Sequence, residues 1–513
     1  MTTMSSPENW EADIVLSDGG IAHLRAIRGD DRPRMLDFYT GVSPESKYLR
    51  FFATHPELND GDLARLIDVD HHSAVTLVVT VRDEIIATAH YGIVPSLLPA
   101  RVGEVSFLVQ DEHQGRGVAN ILLEHLAQVG RECGIERFFA EMLTNNRVMI
   151  QVFIKAGYAV KPELEDGYVV VDFPIDPTDA SRLVMEERER KAEANAIRRI
   201  LYPANIALMG QAPQIGVELP QLDELSGDVD LVVAQYDAQT LVQTMVAAAR
   251  RKANGVLFLA PSFSPMLSEE AVHHFVSTAR SHGLRALGPA ALGLINTHPD
   301  APLNISPAPT PRSGPIGLFT QSAGVATITL SQAIHRGAGI SSFIASGYFA
   351  DVTANDVIQF WADDQRTRIC LLSLDAVGNP RKFFRVLRRL ALEKPVVIFT
   401  PSRALLSARN HGMSAGPEAL DQVVRQAGAM VVSRRNTMFD IAQILARQPA
   451  PRGRRVRLLS NSQGLSEQMK QAARRFALIP DVRTVEDMVA AAQEALQDPH
   501  VDAVVTAVVE VKD

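Results

Sequence analysis

The chain has 513 residues, 46% of them hydrophobic and 21% charged, with a formal net charge of −8. That is a globular composition at a length suited to roughly three or four domains. The acidic balance argues against nucleic acid as the main partner, and no apolar run approaches the ~20 residues that span a bilayer. Cys133 and Cys370 are too few for a disulfide scaffold or a cysteine-based zinc site. The N-terminus lacks a basic region followed by an apolar stretch, so the expectation is a cytoplasmic protein without membrane attachment or bound metal.

In chain order, the first chemistry-bearing run is EVSFLVQDEHQGRGVA at 104–119, where a strand enters a glycine-bearing turn and then an apolar-periodic helix, VANILLEHLAQVGREC. A helix N-terminus after such a turn exposes unpaired amides that, with the helix dipole, can hold a pyrophosphate. Gly115 and Gly117 would let phosphates approach closely. The adjacent pairs His71–His72 and His273–His274 diverge in either strand or helix, which speaks against metal binding; the first pair is a weak candidate for shaping an acceptor groove.

Near Pro174–Pro177 a strand-like segment gives way to SRLVMEERERKAEANAIRRIL. Its spacing predicts a connecting helix with Ile197, Ile200 and Leu201 inward and Glu186, Arg190 and Glu193 mostly toward solvent; the alternative is a coupling lever between domains. Beyond Pro203, apolar strands alternate with helical stretches, which predicts stacked α/β domains with parallel sheets. The proline-rich stretch 298–315 reads as a linker dividing this half, and RQPAPRGRR at 447–455 as a second break.

Two resemblances follow from these motifs. Gln114, Gly117 and Ala119 fit the Q/R-x-x-G-x-G/A signature, and with Asn146, Met149, Lys155, Gly157 and Tyr158 in NNRVMIQVFIKAGY they resemble the GNAT acetyltransferases over about residues 10–175. The resemblance implies acetyl-CoA as acyl donor. Its pyrophosphate would be held by backbone groups of Gln114, Gly115, Arg116, Gly117, Val118 and Ala119, with Asn146 beside the pantetheine arm. The strand containing Leu108 and Val109 would polarise the thioester carbonyl through a backbone N–H. Glu104, ten residues before Gln114 as in the Pat protein acetyltransferases, is the implied general base; Glu112 reads as a solvated loop residue. The tyrosine that many GNAT enzymes use as general acid is replaced by Phe153, and Tyr158 reads as packing.

The segments GLRALGPAALGLIN, GPIGLFTQSAGVATITL, SGYFADVTANDVIQFWADD and LDAVGNPRKF resemble the NDP-forming acyl-CoA synthetases over about residues 200–513. The combination has the layout of the Pat protein lysine acetyltransferases, with the typical target an AMP-forming acetyl-CoA synthetase. The expected fold is α/β: a GNAT domain at 10–178, a linker helix at 179–202, a degenerate CoA-binding Rossmann-like domain at 203–299, a flavodoxin-type domain at 312–448 and a small α/β domain at 453–513. The degeneracy lies after IALMG, where the usual helix and second strand have no room. The resemblance implies that Ser322, Gly324, Asp375 and His411 would be a vestigial synthetase site, His411 standing where the family carries a phosphohistidine but in a poor context. The partner implied is a protein lysine substrate, with a small-molecule effector of the synthetase-like half. Three other readings stay open: transfer to a small amine or free amino acid, a subunit of an NDP-forming synthetase, and a non-enzymatic acyl-CoA sensor.

Overall fold

The computed structural model describes residues 7–211, 215–261, 267–348, 350–375, 377, 379–400 and 417–510, with backbone alone at 417–420. His411 lies outside the described residues. The chain separates into two compact units, residues 1–442 and 443–513.

The first unit begins with a sheet of eight strands: β1 (Ala12–Val15), β2 (Ile21–Ala26), β3 (Ala74–Val81), β4 (Glu84–Ile93), β5 (Val102–Val109), β6 (Arg137–Leu143), β7 (Glu163–Glu165) and β8 (Tyr168–Pro174). They lie in the order β1-β2-β3-β4-β5-β6-β8-β7. Neighbours are antiparallel except β5 and β6, which run parallel and pair only from Val102↔Arg137 to Glu104↔Phe139. Beyond Glu104 the two strands part. Helices α1 (Arg32–Thr40), α2 (Pro44–Phe51) and α3 (Asp60–Ile67) supply one layer; α4 (Val118–Glu132) and α5 (Arg147–Lys155) supply the other. The apolar positions of α4, Ile121, Leu122, Leu126 and Val129, recur at helical spacing and are buried with Phe138 and Phe173, as an amphipathic helix on a sheet requires.

Helix α6 (Asp179–Leu201) follows, its start seated on the end of α5. Thr178 Oγ1 donates to Gly157 O (2.6 Å), and a Cβ at Gly157, where φ is +81°, would lie 2.6 Å from Ser181 N. The expectation that its charged face meets solvent is corrected. Helices α10 (Ala354–Asp363) and α11 (Pro380–Glu393) cover that face, with α10 packed along α6. Arg190 pairs with Asp363, Glu186 with Arg385 (2.7 Å), and buried Glu193 accepts from Gln359 Nε2 and Lys382 Nζ. The sequence shows a charged helix; it does not show that complementary charges 160 to 200 residues away fold onto it.

Burial, and then the nearby Asp356 carboxylate, push Glu193 up to about 7 despite Lys382. Between the ordinary carboxylate value and about 7 the folded state binds more protons at this site than the unfolded state, so stability is lost as pH rises through that window. The Glu193→Gln variant, compared with the parent by urea unfolding from pH 5 to pH 8, is expected to lack that component of the decline.

Downstream, β9 (Ile206–Met209), β10 (Leu231–Gln235), β11 (Gly255–Leu259) and β12 (Arg285–Ala291) form a parallel sheet in the order β12-β11-β10-β9, with α7 (Leu241–Arg250) and α8 (Glu269–Ser281). Among the described residues no helix separates β9 from β10. A seven-stranded sheet follows, in the order β14-β13-β16-β15-β17-β18-β19. Its strands are β13 (Gly293–His298), β14 (Ala301–Ile305), β15 (Ser313–Thr320), β16 (Ile340–Ala345), β17 (Ile369–Ser373), β18 (Val396–Phe399) and β19 (Met430–Val432); α9 (Ala323–His335) connects β15 to β16, and α12 (Pro417–Gln426) and α13 (Arg435–Arg447) come later. The proline-rich stretch is therefore not a plain linker: its first half is β14, paired antiparallel with β13. Pro302 is tolerated because β14 is an edge strand.

The second unit carries a small parallel sheet of β20 (Arg455–Ser460), β21 (Ile479–Thr484) and β22 (Ala503–Ala507), with α14 (Gln463–Arg475) and α15 (Met488–Gln497). No helix among the described residues is long and apolar enough to cross a membrane.

Candidate active site

The parting of β5 and β6 opens a cleft of about 610 Å³. Glu104 to Val109 line one wall, Ala140 to Met142 the other, α2 forms a shoulder, and the turn at 113–119 with Asn145 and Asn146 closes the end. Glu104 occupies the last paired position of β5 before the strands diverge, is exposed, and faces the cleft.

Amide directions follow from the β4–β5 register. Gln110 N–H donates to Ile86 O on β4 (3.0 Å). By strand alternation the amide of Leu108 also turns to β4, whereas those of Phe107 and Val109 turn to the open edge. Val109 O, on that same edge, accepts from Gln114 Nε2 (3.3 Å). Of Leu108 and Val109, only Val109 turns its amide to the open edge; Leu108 is buried against α1 and α3.

The turn into α4 holds Gly115 at φ +74° and Gly117 at φ +78°, left-handed conformations that favour glycine. Gly117 is the N-cap of α4 and makes no side-chain capping bond. Ser17, in the β1–β2 hairpin, takes up the carbonyls of the turn: its N–H donates to Arg116 O (3.0 Å) and its hydroxyl to Gly115 O (3.5 Å). Among the described residues none accepts from the amides of Gly115, Arg116, Gly117, Val118, Ala119 or Asn120. Six successive open N–H groups at the positive end of a helix form an anion cradle.

The side chains around the turn have partners of their own. Gln114 does not lend its amide, which donates to Asp111 O (3.2 Å); its side chain instead reaches Ser46 Oγ (3.2 Å). The Arg116 side chain is a brace, bonded to Asp18 (3.0 Å) and His113 (2.6 Å), so only its amide serves the cradle. Asn146 caps α5 by accepting from Met149 N (3.2 Å) while lining the cleft.

The sequence reading missed Asn120, although the rule that a helix leaves its first four amides unpaired extends the cradle to it. It also missed Ser17, Asp18 and Arg50, which carry no local signal because the fold brings them in from 54 to 98 residues away.

Asp111 fastens α2 to the turn: Ser43 N and Oγ donate to it (2.7 and 2.8 Å) and so does Ser46 Oγ (2.9 Å). Burial pushes its pKa up, but these bonds outweigh it and hold the carboxyl below its usual range. Glu112 is exposed and lies 3.4 Å from His113. Phe153 is buried edge-on to Phe107 (5.9 Å), and Tyr158 packs on Phe173 (5.5 Å), its pKa raised mainly by burial. The His71–His72 pair does not reach the cleft: His71 stacks edge-on to Trp10 (6.2 Å). His273 and His274 are exposed on α8, and among the described residues no group of three or more His, Cys, Asp or Glu could hold a metal ion.

In the seven-stranded sheet, Ser322 is the N-cap of α9 without a side-chain capping bond, and the space at Gly324 is open. Asp375 is buried, and its N–H donates to Gln321 Oε1 (2.5 Å). The structure thus brings Ser322, Gly324 and Asp375 to the carboxyl ends of β15 and β17.

Gly117→Ala places a Cβ at ordinary contact distance from Ser17 (3.6 Å), so the cost is backbone strain rather than collision. A left-handed alanine costs about 1–2 kcal/mol. The turn relieves that strain by relaxing in the free protein and must be driven back on binding, so calorimetric titration with coenzyme A is expected to show up to roughly tenfold weaker binding.

Comparison with known proteins places these features in families. The Acetyltransferase (GNAT) family matches residues 37–158, and the Succinyl-CoA ligase like flavodoxin domain matches residues 313–445. The GNAT domain of S. lividans PAT is 50% identical, covering 33% of this chain and 99% of that one, with a TM-score of 0.32. The ADP-forming acetate–CoA ligase II subunit alpha of Pyrococcus furiosus is 25% identical over 272 residues, 52% of this chain and 58% of that protein. The chain thus spans little more than half the length of that curated relative. For the fold alone, the apo dinucleotide-forming acetyl-coenzyme A synthetase 1 of Ca. Korarchaeum cryptofilum is similar at 19% identity, covering 66% of this chain and 80% of that one, with a TM-score of 0.53.

The chain is therefore of mixed α/β architecture and carries a GNAT acetyltransferase domain fused to a succinyl-CoA ligase-like module of the NDP-forming acyl-CoA synthetase alpha type.

Proposed function

We propose that this protein transfers an acetyl group from acetyl-CoA to a lysine side chain of a protein, with an AMP-forming acetyl-CoA synthetase as the leading target. In this reading the synthetase-like module engages the target or responds to a metabolite. The observation that carries the proposal is the row of open amides from Gly115 to Asn120 at the end of a cleft whose wall Glu104 lines.

The cradle would hold the donor's pyrophosphate and direct the pantetheine arm between the parted strands. The lysine nitrogen attacks the thioester carbonyl carbon; Val109 N–H stabilises the oxyanion as the C–N bond forms. Glu104, directly or through water, receives the proton whose loss frees the lysine nitrogen to attack; collapse breaks the C–S bond, the coenzyme A thiolate leaves, and the remaining surplus proton on nitrogen is lost to water. The thiolate has a low intrinsic pKa and takes its proton from water, in keeping with Phe153 and Tyr158 being packing residues.

The test incubates the full chain with acetyl-CoA and a purified AMP-forming acetyl-CoA synthetase, followed by peptide mass spectrometry. A lysine of the synthetase gaining an acetyl group, with small amines releasing little thiol, is the expected result. Rapid thiol release with small amines and an unlabelled synthetase would overturn the protein-acceptor reading.

A further inference from the structure

Helix α2 lies over the face of β5 onto which Glu104, Ser106 and Leu108 alternate, and it carries Arg50 at the cleft wall. Arg50 Nη2 donates to Ser106 Oγ (2.6 Å), and the guanidinium sits 5.1 Å from the centre of the Phe51 ring. Other arginines buried in this chain are neutralised at close range: Arg25 by Asp31 (2.6 Å), Arg285 by Asp356 (3.0 Å) and Asp351 (3.1 Å), Arg457 by Asp481 (2.7 Å). Among the described residues no carboxylate lies within 4.0 Å of Arg50. Asp62 is committed to His55 (3.1 Å) and to the cap of α3. His90 is neutral, its pKa pushed down to about 4 by burial and by Arg50 and Arg65. The guanidinium N–H groups not used by Ser106 are not sealed in protein and have no protein acceptor among the described residues.

Glu104 and Asp62 act on Arg50 through space without contacting it; a partly desolvated cation without a contacting counter-ion is costly, and the planar fork of arginine suits a carboxylate. The coenzyme A phosphates have their own cradle at the α4 end. Arg50 stands instead beside Ser106, two strand residues or about 7 Å from Glu104, on the acceptor side.

Resting on the protein-acceptor reading above, we propose that Arg50 determines acceptor specificity. Seated on Ser106, it receives a carboxylate that the acceptor carries close to the amine delivered to Glu104, so the preferred target lysine has an acidic neighbour in the chain. The same chemistry is offered by the α-carboxylate of a free amino acid, and the test separates the two.

The full chain is assayed for thiol release from acetyl-CoA with a peptide whose lysine is flanked by glutamate, the same peptide flanked by glutamine, and free amino acids. The glutamate peptide is expected to have a kcat/KM about tenfold or more above the glutamine peptide, carried mainly by KM and shrinking with added salt. Arg50→Glu should reverse the preference toward an arginine-flanked peptide, and Arg50→Lys should retain part of the original one. Equal use of the glutamate and glutamine peptides by the parent protein would overturn the proposal without need of any variant. Turnover of free amino acids alone, dependent on Arg50, would keep the carboxylate contact and overturn the protein acceptor. Should no acceptor release thiol, the transfer reading fails; peptide binding by calorimetry in the presence of coenzyme A then decides the Arg50 contact, with equal affinity for the two peptides overturning it.

Discussion

Glu104→Gln is expected to lower kcat for acyl transfer by roughly 10²- to 10⁴-fold, the range attributable to a positioned general base, while leaving the affinity for coenzyme A nearly unchanged. A lysine amine, with a pKa near ~10.4, is almost wholly protonated at neutral pH, so attack on a thioester requires a group to receive its proton. Glu104 stands where β5 and β6 part, exposed to the cleft and on the strand that ends in the anion cradle. Glutamine preserves size and polarity but cannot accept the proton. Parallel measurement of thiol release and of coenzyme A titration separates the two effects. An unchanged rate would remove Glu104 from the chemistry; a parallel loss of binding would make it a structural residue.

The second large effect concerns stability. Arg285 is buried on β12 and its guanidinium contacts two buried carboxylates, Asp351 (3.1 Å) and Asp356 (3.0 Å). Asp351 also accepts from Arg280, which reaches Asp13 on the first strand of the GNAT sheet (3.0 Å). A chain of charges therefore ties the two halves of this unit together. Arg285→Leu takes from buried Asp356 the arginine that contacts it and leaves Asp351 to Arg280 alone, and breaking such a buried pair costs about 3–5 kcal/mol. The urea midpoint should fall accordingly. Burial alone would raise the Asp356 pKa, but Arg285 and the bonds from Thr353 more than offset it. This carboxylate thus contributes stability above its ordinary pKa that is lost as pH falls. In the variant the deficit should narrow under acidic conditions, where the Asp356 carboxylate takes up a proton. A destabilisation below about 1 kcal/mol that is independent of pH would contradict this account.

Much of this architecture is legible in the chain because its signals are local. The strands DVDLVVA, GVLFLAPSF and KPVVIFT are short apolar runs bounded by turn residues and form β10, β11 and β18. The glycine turn before α4 is legible for the same reason: positive φ at Gly115 and Gly117 is a backbone demand that the residue type announces. The partners that make the site work are not legible, since they come from distant sequence. Nothing near Gly115 says that Ser17 will hold its carbonyls, and nothing near Glu104 announces Arg50. The α6 misreading has the same origin, for Glu193 is polar and its burial depends on Gln359 and Lys382 arriving from another layer. Leu108 and Val109 are neighbours of similar character, and only the β4 register tells which amide faces the cleft.

The most direct measurement is a crystal structure of the full chain with coenzyme A. Diphosphate oxygens should lie within hydrogen-bond distance of the amides from Gly115 to Asn120, with the thiol between the parted strands near Val109 and open to Glu104. A coenzyme A molecule bound only in the synthetase-like module, with those amides left to solvent, would contradict the account.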